Sequence, residues 1–270
     1  MSNQYLIPNI GFGTYGRTGP EGIAAILTAL ETGYRHLDTA QTYDTEQECG
    51  LALARSGLRR DEVFVTTKIS TDNFEPGTLV PSLRKSLDRL QLDRVDLTLI
   101  HWPSPNERLP LEVYLTQLAE AHAAGLTRLV GVSNFTIAHL RRATTVLGAL
   151  PIANNQFEMN PYLQNNKLTT YCNYNDISVT CYLPIARGRL AGDPVLTPIA
   201  GRHDATVEQV ALAFAMQKGH IVIPTSGKAE RIQSNFAAIH LKLTPDELAD
   251  IETIDRGERV IAPSWGPAWD

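Results

Sequence analysis

The residues able to do chemistry stand where apolar runs stop on an ionisable group. Tyr34-Arg-His-Leu-Asp38 stops on a carboxylate, Val63-Phe-Val-Thr-Thr-Lys68 on an ammonium and Asp96-Leu-Thr-Leu-Ile-His101 on an imidazole, while Tyr43 adds a phenol five residues past Asp38. Taken singly, each has an ordinary structural role open to it: Asp38 as a helix cap, Tyr43 as a packing ring, Lys68 as a snorkelling side chain, His101 as a satisfied core imidazole. Gathered at one place they would be a proton-handling set, since an acid, a lysine and an imidazole are costly to desolvate unless they pair with one another.

The elements that must gather them are legible as an alternation. Strand-like runs cover Ile10–Tyr15, Tyr34–Thr39, Val63–Lys68, Asp96–His101, Leu129–Ser133, Ala153–Phe157, Ser178–Tyr182 and Ile221–Pro224. Between them lie stripes of helical period, such as Leu79, Leu83, Leu87 and Leu90, or Leu111, Leu115 and Leu118. Two helices announce their starts, one with Thr206 and Gln209 and one with Thr244, Pro245 and Glu247. Thr14, Asp38, Lys68, His101, Ser133, Gln156, Tyr182 and Thr225 end the strands at intervals of 24, 30, 33, 32, 23, 26 and 43 residues. Eight βα units of about 30 residues predict an α/β fold, a (β/α)8 TIM barrel, as a single domain over residues 1–270. In such a barrel the carboxyl ends of the strands carry the chemistry, so the four ionisable groups converge at one rim. Ala186–His203, rich in Gly, Pro and Arg, reads as a surface loop. An open doubly wound sheet shares the alternation and is the competing fold.

Gly11-Phe-Gly13-Thr-Tyr-Gly16 favours that competitor on paper: it matches a dinucleotide fingerprint, and Asp38 follows Gly16 by 22 residues. The fingerprint needs a clean buried strand before it, and Pro8 interrupts one. We read the glycines as a tight strand exit where backbone approaches something closely. A short-chain reductase would need Tyr-x-x-x-Lys, which occurs nowhere in the chain.

The motifs resemble the aldo-keto reductases. Gly33-Tyr-Arg-His-Leu-Asp-Thr-Ala-Gln-Thr-Tyr43, Asp96-Leu-Thr-Leu-Ile-His-Trp-Pro103 and Gly131-Val-Ser-Asn-Phe135 are similar to that family's signatures, and Ile223-Pro-Thr-Ser-Gly-Lys-Ala-Glu-Arg-Ile-Gln-Ser-Asn235 to its phosphate-binding segment. The similarity runs from about residue 10 to 236. Leu97–Asn106, Pro161–Asn165 and the Trp-Asp ending resemble the bacterial 2,5-diketo-D-gluconate reductases of the B type, which also reduce methylglyoxal.

The resemblance implies reduction of small aldehydes, ketones and dicarbonyls, β-keto esters among them, by hydride transfer from NADPH, with Tyr43 as proton donor. Lys68 would ease that donation by favouring phenolate character, Asp38 would pair with Lys68, and His101 would orient the carbonyl oxygen. It further implies that Ser133, Asn134 and Gln156 read the nicotinamide carboxamide and that Tyr182 stacks on the ring, with Gly13, Thr14 and Asp38 beside the cofactor. Ser226, Lys228, Arg231 and Asn235 would hold its 2′-phosphate and adenine at a helix start. Two positions depart from the family: its usual lysine after Ile-Pro is Thr225, and its usual acid before the final asparagine is Ser234. Tyr15 and Trp102, with Tyr43 and His101, would line the substrate pocket, and Trp265 and Trp269 would either reach the rim or pack elsewhere. Arg187, Arg189 and Arg202 would either attract an anionic substrate or sit solvated on the long loop.

Composition narrows the partners. With 24 basic and 29 acidic residues the net charge is −5, so no global field draws the chain to nucleic acid or anionic membranes. The longest apolar run, Val210–Met216, is far too short to span a bilayer, and the opening Met-Ser-Asn-Gln-Tyr lacks the pattern of a signal peptide. Cys49, Cys172 and Cys181 lack metal-ligand or disulfide spacing and suit a reducing cytoplasm. A metal-dependent hydrolase, suggested by His36-Leu-Asp38, would want a His-x-His pair, which is absent. We expect a cytoplasmic monomer acting on a small carbonyl compound, without metal. A barrel retained as an NADPH-sensing subunit is the alternative. With so little chain left after the eighth unit, a shallow, open pocket is expected.

Overall fold

The computed structural model describes residues 6–270. The opening pentapeptide, on which the signal-peptide reading rested, lies outside the described residues.

Eight strands, β1 (Phe12–Gly13), β2 (His36–Asp38), β3 (Phe64–Ile69), β4 (Val95–Ile100), β5 (Thr127–Ser133), β6 (Asn154–Glu158), β7 (Ser178–Tyr182) and β8 (Ile221–Val222), lie in chain order and pair in parallel with each neighbour. The seam between first and last is joined by a parallel bridge from Ile10 to Val222 and by hydrogen bonds from Gly11 N to Val222 O (2.8 Å) and Gly13 N to Pro224 O (3.0 Å). A side chain at Gly13 would meet the Ile223 carbonyl at 2.9 Å, so its bareness lets this seam close. The order excludes the doubly wound alternative, whose sheet stays open and whose strand order reverses.

The β1 and β8 runs are shorter than the sequence suggests because Pro8 and Pro224 flank the seam and cannot donate to a ladder. Phe64, Leu97, Leu99, Ala153 and Ile221 fill the barrel interior with Ile7. A second apolar layer lies between strands and helices: Leu79, Leu83, Leu87 and Leu90 of the helix Leu79–Leu90 are buried there, as are Leu111, Leu115 and Leu118 of the helix Leu111–Ala123. Both anticipated capping boxes form, Thr206 with Gln209 at the helix Val207–Gln217 and Thr244 with Glu247 at the helix Pro245–Glu252. The three cysteines are free and buried.

Ala186–His203 is not only a loop. Leu196–Arg202 is helical because Asp193 accepts from Val195 N and Leu196 N at 2.9 Å and because Leu196, Ile199 and Ala200 have apolar partners to bury against. Its Pro198 and Gly201 disguise that helix in the sequence.

Candidate active site

Successive strand ends deliver their polar side chains to one rim of the barrel. Asp38 ends β2, Lys68 is next to last in β3, and His101 follows β4, still held by His101 N donating to Ile69 O at 3.1 Å. Asp38 and Lys68 are wholly buried. The Lys68 ammonium has three hydrogens and three acceptors: Asp38 Oδ1, the Thr39 carbonyl at 2.9 Å and Tyr43 Oη at 3.4 Å. The second Asp38 oxygen accepts from Gln156 Nε2 at 2.7 Å. Every ammonium hydrogen and both carboxylate oxygens are therefore engaged before any ligand arrives, which is what makes a buried pair tolerable.

This arrangement also decides which way the phenol points its chemistry. Tyr43 Oη accepts from Lys68, leaving its own hydrogen to be given elsewhere. Burial pushes the Tyr43 pKa above its ordinary value while the Lys68 charge pulls it down, and burial prevails. The Lys68 charge thus pulls toward phenolate without making the resting group one; the phenol is loaded with a proton at neutral pH. Burial would discharge Lys68, but the Asp38 and Tyr43 oxygens outweigh it and raise its pKa, so the ammonium persists. Burial, aided by the Lys68 charge, lowers His101 to about 3, so its imidazole is neutral. Its ring meets that of Tyr43 edge-on at 5.4 Å, and Nε2 has no partner among the described residues.

A second network adjoins the first. Ser133 Oγ donates to Gln156 O at 2.8 Å, Asn134 Nδ2 donates to His101 O at 3.0 Å and Ser133 Oγ at 3.1 Å, and Tyr182 Oη donates to Asn134 Oδ1 at 2.8 Å. The following helix is capped by Thr136, whose hydroxyl accepts from His139 N, so Ser133 and Asn134 are not its cap. Thr14 is buried with its hydroxyl donating to the Asp38 carbonyl at 3.1 Å, so it braces β1 against β2.

The segment that resembles a phosphate-binding one leaves β8 and enters the helix Ala229–Ala237. Ser226 Oγ accepts from Lys228 N at 3.1 Å; Lys228 and Arg231 are exposed, and no ion pair holds either among the described residues. Asn235 is buried, and Thr225 Oγ1 is buried without a partner among the described residues.

The tail reaches the rim. Trp265 and Trp269 meet Trp102 edge-on at 5.3 and 6.3 Å, and Tyr15, 61% exposed, lies edge-on to Tyr43 at 5.2 Å. Sequence reasoning missed the anchor. Glu158, fully buried at the end of β6, accepts from Val260 N at 2.8 Å and Ile261 N at 2.8 Å, and Arg259 stacks on Trp269 at 3.4 Å. The signal was available, since Glu158 shares the face of Gln156 two residues earlier. Two of the loop arginines are engaged by carboxylates of the fold, a third outcome beside substrate attraction and a solvated loop: Arg189 pairs with Glu258 at 2.6 Å and Arg202 with Glu247 at 3.0 Å. Arg187 stays exposed.

The opposite end of the barrel has a concavity of about 1040 Å³ lined by Arg35, Arg60 and Arg128, but carbonyls and Asp96 already engage these arginines. Among the described residues no three His, Cys, Asp or Glu side chains group as metal ligands, and no helix is long and apolar enough to cross a membrane.

The profile of the aldo/keto reductase family matches residues 9–256. The chain belongs to this family. A methylglyoxal reductase, DkgB, of Escherichia coli O157:H7 is 44% identical over 265 residues, covering 98% of this chain and 99% of its own. The solved structure of a "putative 2,5-diketo-D-gluconic acid reductase B" superposes with a TM-score of 0.95 at 38% identity, over 100% of this chain and 96% of its own. An aldo-keto reductase from a Medee basin deep-sea metagenome library gives 0.93 at 31%, over 99% and 98%. This aldo-keto reductase is thus an oxidoreductase that reduces carbonyl groups on a (β/α)8 barrel.

Proposed function

We propose that this aldo-keto reductase uses NADPH to reduce small dicarbonyls, of the methylglyoxal and 2,5-diketo-D-gluconate kind, with Tyr43 as the proton donor. The observation that carries the assignment is the three-way engagement of Lys68 by Asp38, Thr39 and Tyr43.

Members of the family typically use NADP(H), and the residues present fit that group. Gln156 Oε1 is a buried acceptor without a partner, while Nε2 of the same amide is fixed on Asp38. An acceptor so held suits a carboxamide N–H. Gln156, Ser133 and Asn134 would hold the carboxamide, and Tyr182, its hydroxyl tied to Asn134, would offer a ring of set orientation. Gly13 and Thr14 would floor the site; Ser226, Lys228, Arg231 and Asn235 would meet the 2′-phosphate and adenine. When bound, NADPH supplies a hydride to the carbonyl carbon.

The chain's own part is to place the carbonyl oxygen and deliver a proton to it. His101, neutral, donates a hydrogen bond to that oxygen through its unpartnered Nε2, and the Tyr43 hydroxyl transfers its proton as negative charge develops. The Lys68 ammonium, already hydrogen-bonded to Tyr43 Oη, stabilises the phenolate left behind. Trp102, Trp265 and Trp269 on one side and Tyr15 on the other make a low-polarity wall that holds a small planar dicarbonyl at the mouth. The enzyme works as a monomer in the cytoplasm, on this reading.

The test is NADPH consumption across 2,5-diketo-D-gluconate, methylglyoxal, β-keto esters, aromatic aldehydes and a steroid ketone, ranked by kcat/KM. Small dicarbonyls at the top are expected. A steroid at the top, or tight NADPH binding with no turnover of any carbonyl, would contradict the reading.

A further inference from the structure

Arg17 is a charged side chain with no assignment in anything described above. Its backbone is pinned twice: Arg17 N donates to Thr14 O at 2.8 Å, and a Cβ on Gly22 would fall 2.0 Å from the Arg17 carbonyl oxygen. Its head is seated as closely, since a Cβ on Gly227 would lie 2.4 Å from Arg17 Nη1. Neither glycine has the positive φ that usually explains the residue; both are bare where Arg17 passes.

The seat lies between Ser226 and Lys228, two residues past Thr225, and Thr225 Oγ1 is itself buried without a partner. The guanidinium takes no carboxylate or carbonyl among the described residues, and its Nε is buried unsatisfied. A buried donor left so is costly unless a ligand completes it. Among the described residues Lys228 and Arg231 form no ion pair either, not even with Glu230, the acidic residue of the same helix turn, so three cations here lack a carboxylate partner.

We propose that Arg17, reaching from the turn after β1 onto Gly227, is a determinant of NADPH over NADH, supplying to the 2′-phosphate the cation that Thr225 lacks. The proposal rests on the NADPH reading and goes beyond it by naming a residue from the opposite edge of the barrel seam. A guanidinium offers two parallel N–H donors to one phosphate, so loss of the arginine costs a bidentate, charge-assisted contact that NADH never makes.

The test uses the apoenzyme and reads binding, by quenching of tryptophan fluorescence, for NADPH and NADH separately. Arg17→Met raises the Kd for NADPH about tenfold or more, leaves that for NADH within about twofold, and leaves the thermal midpoint unchanged. Arg17→Lys recovers part of the loss. Gly227→Ala keeps the charge but evicts the head from its seat, and so weakens NADPH selectively as well. Equal weakening of both cofactors by Arg17→Met would overturn the proposal in favour of a contact to the diphosphate they share, and no change in either would overturn it outright. A wild-type enzyme that fails to bind NADPH would instead bring down the cofactor reading beneath it.

Discussion

The two walls of this site are built in opposite ways. On the catalytic wall, Asp38, Lys68, the Thr39 carbonyl and Gln156 Nε2 are buried and engage one another, and of these four residues' polar side-chain atoms only Gln156 Oε1 is left without a partner among the described residues. On the wall proposed to meet the phosphate, Lys228 and Arg231 are exposed, and among the described residues Arg17 forms no ion pair and Thr225 Oγ1 has no hydrogen-bond partner. The first is preorganised, with its cost met within the fold; the second is left incomplete, for a ligand to finish. A substitution on the first should therefore harm folding and turnover together, and one on the second should harm binding alone.

The sharpest way to break this contrast is a pair of lysine substitutions. Lys68→Met strips the Asp38 carboxylate of its counter-ion in a buried place. It should cost about 3–5 kcal/mol of stability and at least about 100-fold in kcat. Lys228→Met, equally a loss of one charge, should leave stability within about 0.5 kcal/mol. Thermal unfolding and initial rates measure both, and equal destabilisation would erase the distinction.

The buried interior also makes the fold acid-sensitive. Burial lowers His36 and His220 to about 4 and His101 to about 3, below the ordinary imidazole value of 6.5. The unfolded chain takes up these protons first as pH falls, so stability is lost from about pH 6.5 downward, at about 3 kcal/mol for each of His36 and His220 by pH 4. Denaturant titrations from pH 7 to 4 should show that decline; a flat profile would mean that these imidazoles are not buried neutral.

A smaller effect sharpens the phosphate wall. Arg231→Ala should raise the NADPH Kd about tenfold and leave both NADH binding and the thermal midpoint unchanged. An unaltered NADPH to NADH ratio would remove Arg231 from the site.

The catalytic wall was the more legible of the two in the sequence, for a physical reason. A strand that enters a buried core and stops on Asp38, Lys68 or His101 leaves a sharp boundary between apolar and ionisable residues, and eight strand ends about 30 residues apart give the barrel. What stayed hidden depends on contacts far apart in the chain. Gln156 read as a cofactor ligand and proved also to be the second partner of Asp38, 118 residues away. Glu158 drew no reading in the sequence, because the Val260 and Ile261 amides that fold onto it lie 102 and 103 residues further along the chain. Arg17 gave no signal at all, because its meaning lies in a missing side chain at Gly227. The glycine fingerprint, read as a tight strand exit rather than a phosphate turn, serves the β-seam, where a side chain at Gly13 would meet the Ile223 carbonyl.

The central claim is that Tyr43, held by Lys68, gives the proton and that binding is a separate matter. Tyr43→Phe removes one hydroxyl and little surface. Measured side by side on this variant, kcat for methylglyoxal should fall about 100- to 10,000-fold, while the Kd for NADPH stays within about twofold of the wild-type value. Turnover near the wild-type rate, or a loss of rate matched by a loss of NADPH affinity, would contradict the account.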